Sequence, residues 1–392
     1  MPLRRELRIA VVSPLLPIKP GSHRGHSLYQ TVIRFPDRAR VEAFCPITLY
    51  PKGLEPRSYN YTIPELGFQP EKLKTTFIKY RVVPILSRPV NGFLCFRRLK
   101  PYLLDFKPDL ILNSWLYPEG YASMLCGQAL EVPVVHYCVG SDLQRIPDPF
   151  TDYFTKRVLR HASGIIAKSE DLARIAVEFG APKSNTRTIL NGFDRNVFSI
   201  RDRREARSQL KLPLGQRIVL YAGNIVESKG VVDLVRAVAE TGPQAETFHV
   251  YLLGGGPYSE PLSIMIKKSG LTDRITLQGP IPNHDMPKWF AACNLFCLPS
   301  HSEGCPNVIV EARACGRPVV ATHVGGIPEI TNSDCAILVP PRSPKSLARA
   351  ILEALERNWE SAKIAEGLSS WEDISKEALL VCERALNSRN AC

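Results

Sequence analysis

Twelve short apolar runs, separated by stretches with helical periodicity, are the feature that most limits how this chain can fold. Turn residues bound each run. Strands that are buried on both faces and alternate with helices are typical of parallel, doubly wound sheets. Six runs come before residue 191 and six after residue 216: 7–14, 41–46, 109–114, 132–137, 163–169 and 186–190, then 217–223, 248–256, 274–280, 294–300, 317–323 and 335–341.

Two such sets of runs predict an α/β fold with two Rossmann-like domains. The length of 392 residues also suits two cores better than one. A polar, proline-bearing stretch at 191–216 follows the sixth run and indicates the boundary. We expect an N-terminal domain over 1–195, a C-terminal domain over 196–365, and a C-terminal helix within 366–392 that packs back on the N-terminal domain.

The composition is that of a globular protein, with 44% hydrophobic and 22% charged residues. No apolar run approaches the roughly 20 residues of a membrane span, and the first residues lack the pattern of a signal peptide. The eleven cysteines show neither disulfide-framework nor zinc-site spacing. We therefore expect a reduced, cytoplasmic chain without a metal site.

The positive charge is concentrated in the first quarter of the chain. Residues 1–100 contain 18 Lys and Arg against 6 Asp and Glu, so the entire net charge of +12 arises there. Within 71–107, nine basic residues are interleaved with six aromatic ones. This mixture suits an anionic membrane interface, although a solvated basic surface has the same composition. No signature of a nucleic-acid-binding module accompanies it, and we expect no nucleic-acid partner.

The second half carries chemistry where its predicted strands end, which is where open parallel sheets bind ligands. Lys229 and Gly230 stand at the entrance to a helix, where a lysine and free backbone N–H groups favour an anion. Glu303 is expected in a loop and Glu311 in the second turn of a helix whose first position is Pro306. In a glycosidase, two carboxylates must face one another across the glycosidic bond, and a loop beside a helical turn does not readily place them in that way. We instead expect the helix amides to face a diphosphate, Glu303 a sugar and Glu311 a ribose diol.

The stretch PSHSEGCPNVIVEARACGRPVVATHVGGIPEI (299–330) resembles the E-x7-E signature of family 4 of the retaining glycosyltransferases. The similarity extends through YAGNIVESKG, LLGGGP, IIAKSEDLARIAVEFG and LVPPRSPKSLARAI, and WLYPEGYAS resembles members related to teichuronic-acid and exopolysaccharide assembly. The resemblance implies a GT-B fold, in which two Rossmann-like domains face one another across a cleft.

The resemblance also implies roles for individual residues. Glu303 matches the residue that binds the transferred sugar, Lys229 the cation on the departing diphosphate, and Glu311 the ribose-binding residue. Glu303 and Lys229 are therefore the expected catalytic residues. The remaining donor-binding residues expected besides Glu311 are Gly223, Asn224, Gly255, Ile281, Gly304, Cys305, Pro306, Asn307, Val308 and Ile309.

Two residues of this chain depart from the family pattern. One affects the positive charge beside the leaving group, and the other lies in the N-terminal domain, which the resemblance implies binds the acceptor. Asn224 stands where many members have arginine, so the leaving-group charge rests on Lys229. Val139 stands where many members have histidine, in the turn that continues to Asp142. We expect Gly21 or Gly25, after the first strand, and Asp142 to form the acceptor-side loops.

The implied activity is retaining, metal-independent transfer of a sugar to a hydroxyl of a glycan or lipid-linked acceptor in polysaccharide or glycolipid assembly. The donor would be a UDP- or GDP-linked sugar, and no cofactor is expected. Two other functions stay open: a non-catalytic protein that binds sugar nucleotides, and a nucleotide-sugar 2-epimerase. The expected location is the cytoplasm, with peripheral contact at the inner face of the membrane.

Overall fold

The computed structural model describes residues 6–22, 24–54, 64–65, 67–144, 146–242 and 248–390, and divides into two compact units. The first comprises Met1–Leu190 with Trp371–Cys392, and the second comprises Asn191–Ser370. The expected boundaries at 195 and 366 thus differ from these by five residues each. The difference has a local cause, because Phe193 pairs with Ser370 and Asn191 donates to the carbonyl of Cys305.

The strands of the described residues form two wholly parallel sheets. Those of the first unit are β1 (Leu7–Val12), β2 (Ala39–Leu49), β3 (Thr75–Arg81), β4 (Leu110–Ser114), β5 (Val134–Cys138), β6 (Gly164–Ala167) and β7 (Thr186–Thr188). Those of the second unit are β8 (Arg217–Ala222), β9 (Phe248–Leu253), β10 (Ile275–Gly279), β11 (Leu295–Leu298), β12 (Val319–Thr322) and β13 (Ala336–Val339). The orders are β3-β2-β1-β4-β5-β6-β7 and β10-β9-β8-β11-β12-β13.

Helices connect the strands in both units. They are α1 (His26–Val32), α2 (Asn91–Phe106), α3 (Tyr121–Leu130), α4 (Ser141–Gln144), α5 (Pro149–Arg160), α6 (Glu170–Glu178), α7 (Arg203–Gln209), α8 (Val231–Glu240), α9 (Ser259–Lys268), α10 (Met286–Ala292), α11 (Asn307–Ala314), α12 (Pro344–Glu356), α13 (Ser361–Ile364) and α14 (Trp371–Asn390). Among the described residues, no helix has both the length and the apolar character that a membrane crossing requires.

Strand β1 shows why the apolar runs became central strands. Ile9 and Val11 are buried in a cluster that includes α14, whereas Ala10 and Val12 are buried in a separate cluster with α2. Successive residues of a strand point to opposite faces, so a strand covered on both faces must be apolar throughout. Helix α14 contributes Trp371 and Cys382 to the first of these clusters, which makes it part of the first unit.

The stretch 71–107 differs from the simple interface that its composition indicated. Residues 75–81 form β3, which pairs with β2 and was not among the predicted strands. Tyr80 and Phe106 are core residues, while Phe93 and Tyr102 are exposed. A strand at the edge of a sheet is only half covered, so Thr75–Arg81 mixes polar with apolar residues and lacks the apolar run used to find the other strands.

Candidate active site

The predicted donor-binding residues lie along one edge of the second sheet. Ile281 follows β10, Gly255 follows β9, and Asn224 follows β8, with Glu303 beyond β11, and these four strands are neighbours in that order. Because all of them are parallel, their carboxyl ends meet at the same edge. Three strand spacings are about 14 Å, a span that suits an extended nucleotide-sugar with its base near β10 and its sugar near β11.

The connection from β8 to α8 is pressed against the end of β11. A 3-10 helix, Glu227–Lys229, leads to Gly230, which has a φ of 68° and precedes the first residue of α8. A Cβ atom on Gly230 would lie 1.8 Å from the carbonyl oxygen of Pro299, so only glycine fits there. The backbone N–H of His301 donates to the carbonyl of Ser228 at 2.9 Å. The loop after β11 is therefore fastened beside Lys229.

This close approach brings the two predicted catalytic side chains together. Lys229 Nζ donates to Glu303 Oε1 at 2.7 Å. The Glu303 carboxylate is almost completely buried, whereas Lys229 keeps nearly a third of its side chain exposed. Lysine can therefore turn from the carboxylate toward a bound anion without leaving the site.

The turn at Gly325 and Gly326 holds the Glu303 loop from the other side. Gly325 has a φ of 50°, and a Cβ atom on it would lie 1.8 Å from the carbonyl oxygen of Glu303. The N–H of Gly326 donates to the carbonyl of Gly304 at 2.8 Å. Cys305 is held in turn by Asn191, whose Nδ2 donates to its carbonyl at 2.6 Å. The backbone at 303–305 is thus fixed by two other segments of the second unit.

Helix α11 begins one residue later than expected. Pro306 has an extended conformation (φ −74°, ψ 116°) and precedes the helix, which starts at Asn307. The N–H of Ile309 donates to the carbonyl of Pro306 at 3.2 Å, so it is not free to bind a ligand. Within the described residues, the N–H groups of Asn307 and Val308 have no such partner. These two amides remain available at the positive end of the helix dipole.

Two unpaired polar groups on α11 indicate a ligand site. The Oδ1 atom of Asn307 is buried and has no hydrogen-bond partner. Glu311 lies in the second turn, is nearly buried, and makes no side-chain hydrogen bond within the part of the chain that the structure describes. Burial raises the pKa of Glu311 to about 7. Leaving buried polar groups unpaired is costly, so hydroxyl donors from a ligand would stabilise both.

In the glycine-rich turn after β9, two of the three glycines pack against the backbone of the second unit. Cβ atoms on Gly254 and Gly256 would collide with the carbonyl oxygens of Gly223 and Ile225. Their close approach is therefore to the chain's own backbone and not to a ligand. Gly255 has only the Pro280 side chain nearby, so it alone of the three leaves room at the surface.

One polar pair beside the site was not found from the sequence. His301 Nε2 lies 2.7 Å from Asp233 Oδ2, and Asp233 is buried in the first turn of α8. The pair braces the Glu303 loop against the helix that follows Lys229. The residues are 68 positions apart, and no local pattern connects them. His301 does lie inside the recognised motif, which was the one available signal.

The predicted acceptor-side residues belong to the first unit. Gly25 is the residue before α1, and a Cβ atom on it would collide with the carbonyl oxygen of Leu15, whereas Gly21 has open space around it. Asp142 Oδ1 accepts the N–H groups of Val139 and Gly140 at 3.2 and 2.9 Å. Burial raises the pKa of Asp142 to about 6, and its Oδ2 atom is buried without a partner. Asp142 thus shapes its own turn.

The second unit's strand edge combines one cation, two free helix amides and two carboxylates. Such a set can hold a diphosphate and accept hydrogen bonds from sugar hydroxyls. No cluster of three or more His, Cys, Asp or Glu side chains that suits a metal ion is found among the described residues.

Two family models match the chain in succession. The model described as Glycosyltransferase Family 4 matches residues 52–197, and that described as Glycosyl transferases group 1 matches residues 202–368. TuaC of Bacillus subtilis, named as a teichuronic acid biosynthesis glycosyltransferase, is 32% identical over 250 residues, which are 63% of this chain and 61% of TuaC. The match thus spans about three fifths of that relative.

Solved structures show the same fold. Sucrose-phosphate synthase from Thermosynechococcus elongatus has a TM-score of 0.79 at 21% identity, covering 97% of this chain and 100% of that one. HepE of Anabaena in complex with UDP has a TM-score of 0.69 at 21% identity, covering 98% of each chain. Because the two family models follow one another from residue 52 to residue 368, and each falls on one of the two parallel sheets, this chain belongs to glycosyltransferase family 4 and has the GT-B fold.

Proposed function

We propose that the chain is a retaining, metal-independent glycosyltransferase that moves a sugar from a nucleotide-diphosphate donor to a hydroxyl of a glycan or lipid-linked acceptor. The observation that carries the proposal is the contact between Lys229 and Glu303, 2.7 Å long, beside the free amides of α11. A diphosphate and its sugar have complementary partners at this one place. HepE, a protein of similar fold solved with UDP and with UDP-glucose, supports a nucleotide-sugar as the donor.

In this mechanism the bond between the sugar and the diphosphate breaks while negative charge grows on the departing phosphate. Lys229 and the amides of Asn307 and Val308 stabilise that charge. Glu303 accepts hydrogen bonds from the transferred sugar, and Glu311 accepts them from the ribose. The acceptor oxygen forms its bond to the anomeric carbon on the face from which the phosphate departs, so the configuration of the sugar is retained, and the hydroxyl proton passes to the departing diphosphate.

The acceptor and the location belong to the same proposal. TuaC is named for teichuronic acid biosynthesis, which supports polysaccharide or glycolipid assembly as the process. The basic first quarter of the chain, with 18 Lys and Arg against 6 Asp and Glu, supports peripheral contact with an anionic membrane at its cytoplasmic face.

The test is a donor-hydrolysis screen, since slow hydrolysis needs no acceptor. The purified chain is incubated with UDP- and GDP-linked sugars, and free nucleoside diphosphate is measured with and without a chelator. Release from one donor is expected, unchanged by the chelator and reduced to less than about a tenth in Lys229→Ala. Lys268→Ala, which alters an exposed lysine at the end of α9, is the matched control and keeps full activity. Tight nucleotide binding without release from any donor would favour a non-catalytic binding protein.

A further inference from the structure

Exposed apolar side chains are concentrated in one part of the first unit. Among the described residues, fourteen large hydrophobic side chains are exposed, and nine of these lie within 83–104 or 150–153. Five others are scattered over both units. Single exposed apolar residues are common on protein surfaces, but a contiguous group marks an interaction site.

The most exposed pair stands at the tip of a well-built turn. Ile85 and Leu86 are 73% and 81% exposed. The turn is closed by Ser87, whose Oγ accepts from the N–H of Val83 and donates to its carbonyl, both at 2.8 Å. Ile85 has a φ of 64°, a left-handed conformation that is unfavourable for a β-branched residue. Folding alone gives no reason for isoleucine there, because glycine would fit without strain.

Helix α2 continues this surface with a mixed stripe. Phe93, Arg97, Lys100 and Leu104 follow one another at spacings of four, three and four residues, so they share one side of the helix. The opposite side, which includes Leu99 and Leu103, is buried in the core. The outward stripe therefore has apolar side chains at its two ends and two basic side chains between them, a mixture that suits a membrane interface.

The start of α5 adds two aromatic side chains. Phe150 and Tyr153 are both more than half exposed. A salt bridge of 2.9 Å from Arg88 to Asp148 joins the turn at 83–90 to this helix. Asp148 also accepts the N–H groups of Phe150 and Thr151. The turn leads directly into α2, and the salt bridge holds it beside the start of α5. We call the exposed and partly exposed side chains of these three segments the docking surface, of which Ile85, Leu86, Phe93, Arg97, Lys100 and Phe150 carry the argument.

The charge around the docking surface selects its partner. Residues 79–107 contain seven Lys and Arg and one acidic residue, Asp105. Arg97 and Arg98 are exposed and form no ion pair within the described residues. A second copy of the chain would place like charges opposite one another in a symmetric contact, which is unfavourable. Apolar and aromatic tips surrounded by unpaired cations instead match a bilayer with anionic headgroups.

We propose that the docking surface binds anionic membranes, with Ile85 and Leu86 entering the headgroup region and Arg97 and Lys100 contacting phosphates. The proposal differs from the whole stretch 71–107 that composition indicated, because Lys74 forms a salt bridge with Glu42 and Tyr80 is a core residue. As a statement about a lipid-linked acceptor, it rests on the transferase function proposed above.

The test is sedimentation of the full chain with vesicles of phosphatidylcholine alone and of phosphatidylcholine mixed with phosphatidylserine. The wild type should bind only the mixed vesicles, and added salt should release it. Leu86→Ser combined with Ile85→Gly should weaken binding about tenfold or more, and Arg97→Ser with Lys100→Ser should weaken it and reduce its salt dependence. Leu214→Ser with Ile264→Ser, which alters exposed residues of the second unit, is the matched control and should bind as the wild type does.

Thermal unfolding distinguishes a variant that folds but no longer binds vesicles from a variant that no longer folds. Ile85→Gly removes left-handed strain, so its melting temperature should equal or exceed that of the wild type. Donor hydrolysis should be the same in all these variants. Equal binding to both kinds of vesicle, or undiminished binding by the Ile85 and Leu86 double variant, would overturn the proposal, as would dimers without lipid that this variant abolishes. Vesicle binding by a chain that hydrolyses no donor would leave the docking surface standing and reject the proposed function.

Discussion

Lys229 and Glu303, one after β8 and the other after β11, form an ion pair of 2.7 Å. The expected roles separate them, with the lysine on the diphosphate and the carboxylate on the sugar. The carboxylate therefore competes with the diphosphate for the same cation. Donor binding must therefore replace the Glu303 carboxylate with the diphosphate as the partner of Lys229. Removing the carboxylate should for this reason not weaken nucleotide binding.

Glu303→Gln should abolish turnover yet bind free nucleoside diphosphate as tightly as the wild type or up to about tenfold more tightly. Glutamine has nearly the shape of the buried glutamate but no charge, so the partly exposed Lys229 no longer has a carboxylate that competes with the diphosphate. Calorimetry with UDP and GDP measures the affinities. Weaker nucleotide binding by the variant would show that Glu303 does not compete with the diphosphate.

Lys229→Ala should lose more in rate than in donor affinity. The charge on the phosphate grows as the bond breaks, so a cation beside it stabilises the transition state more than the bound donor. Asn224, which lies at the same strand end, is uncharged and cannot replace the lysine. Turnover should fall below about a tenth of the wild-type value, and steady-state kinetics with Lys268→Ala as the control measures it. Turnover above that value in Lys229→Ala would show that Lys229 does not stabilise the charge on the departing phosphate.

Gly325→Ala should impair catalysis through the position of Glu303. The new Cβ atom would collide with the carbonyl oxygen of Glu303, so the loop that carries the carboxylate must move. Gly270→Ala is the matched control, because Gly270 has a similar left-handed φ of 66° with open space around it. Both variants should lose about 1–2 kcal/mol of stability from backbone strain. Only Gly325→Ala should lose most donor hydrolysis, and equal activity in the two would contradict the proposed packing.

Glu311 should make the stability of the free protein depend on pH. Burial raises its pKa to about 7 from the usual 4.5. The folded state therefore holds this proton more tightly, so the stabilisation is full below about pH 4.5 and is lost as the pH rises toward 7. Relative to wild type, Glu311→Gln should gain up to about 3 kcal/mol of unfolding free energy across this range. Urea unfolding at several pH values measures the gain.

A ligand provides the complementary experiment for Glu311. Hydroxyl donors favour the ionised carboxylate, so nucleotide binding near neutral pH should release protons from the wild type. Calorimetry in buffers of different ionisation enthalpy detects this release, and Glu311→Gln should lack it. A pH-independent stability difference together with equal proton release would place Glu311 outside the nucleotide site. Glu119, whose pKa burial also raises to about 7, is present in both proteins and cancels in the comparison.

The sequence by itself determined the two parallel sheets and the segments that form their binding edge. A strand buried on both faces must be apolar throughout, so all strands of the second unit were visible as apolar runs. The positions of Glu303 in a loop and of Glu311 in a second helical turn followed from local spacing. Strand β3 was missed because an edge strand needs only one apolar face.

Only the tertiary structure decided which of these groups touch. Lys229 and Glu303 are 74 residues apart, and His301 and Asp233 are 68 apart. Their contacts depend on β8 and β11 being neighbours in the sheet and on glycines that let Pro299 and Glu303 approach other backbone segments. The docking surface likewise joins a turn, α2 and α5 through one salt bridge between Arg88 and Asp148. Local periodicity reports which side of an element is buried, whereas strand order and packing determine which distant side chains meet.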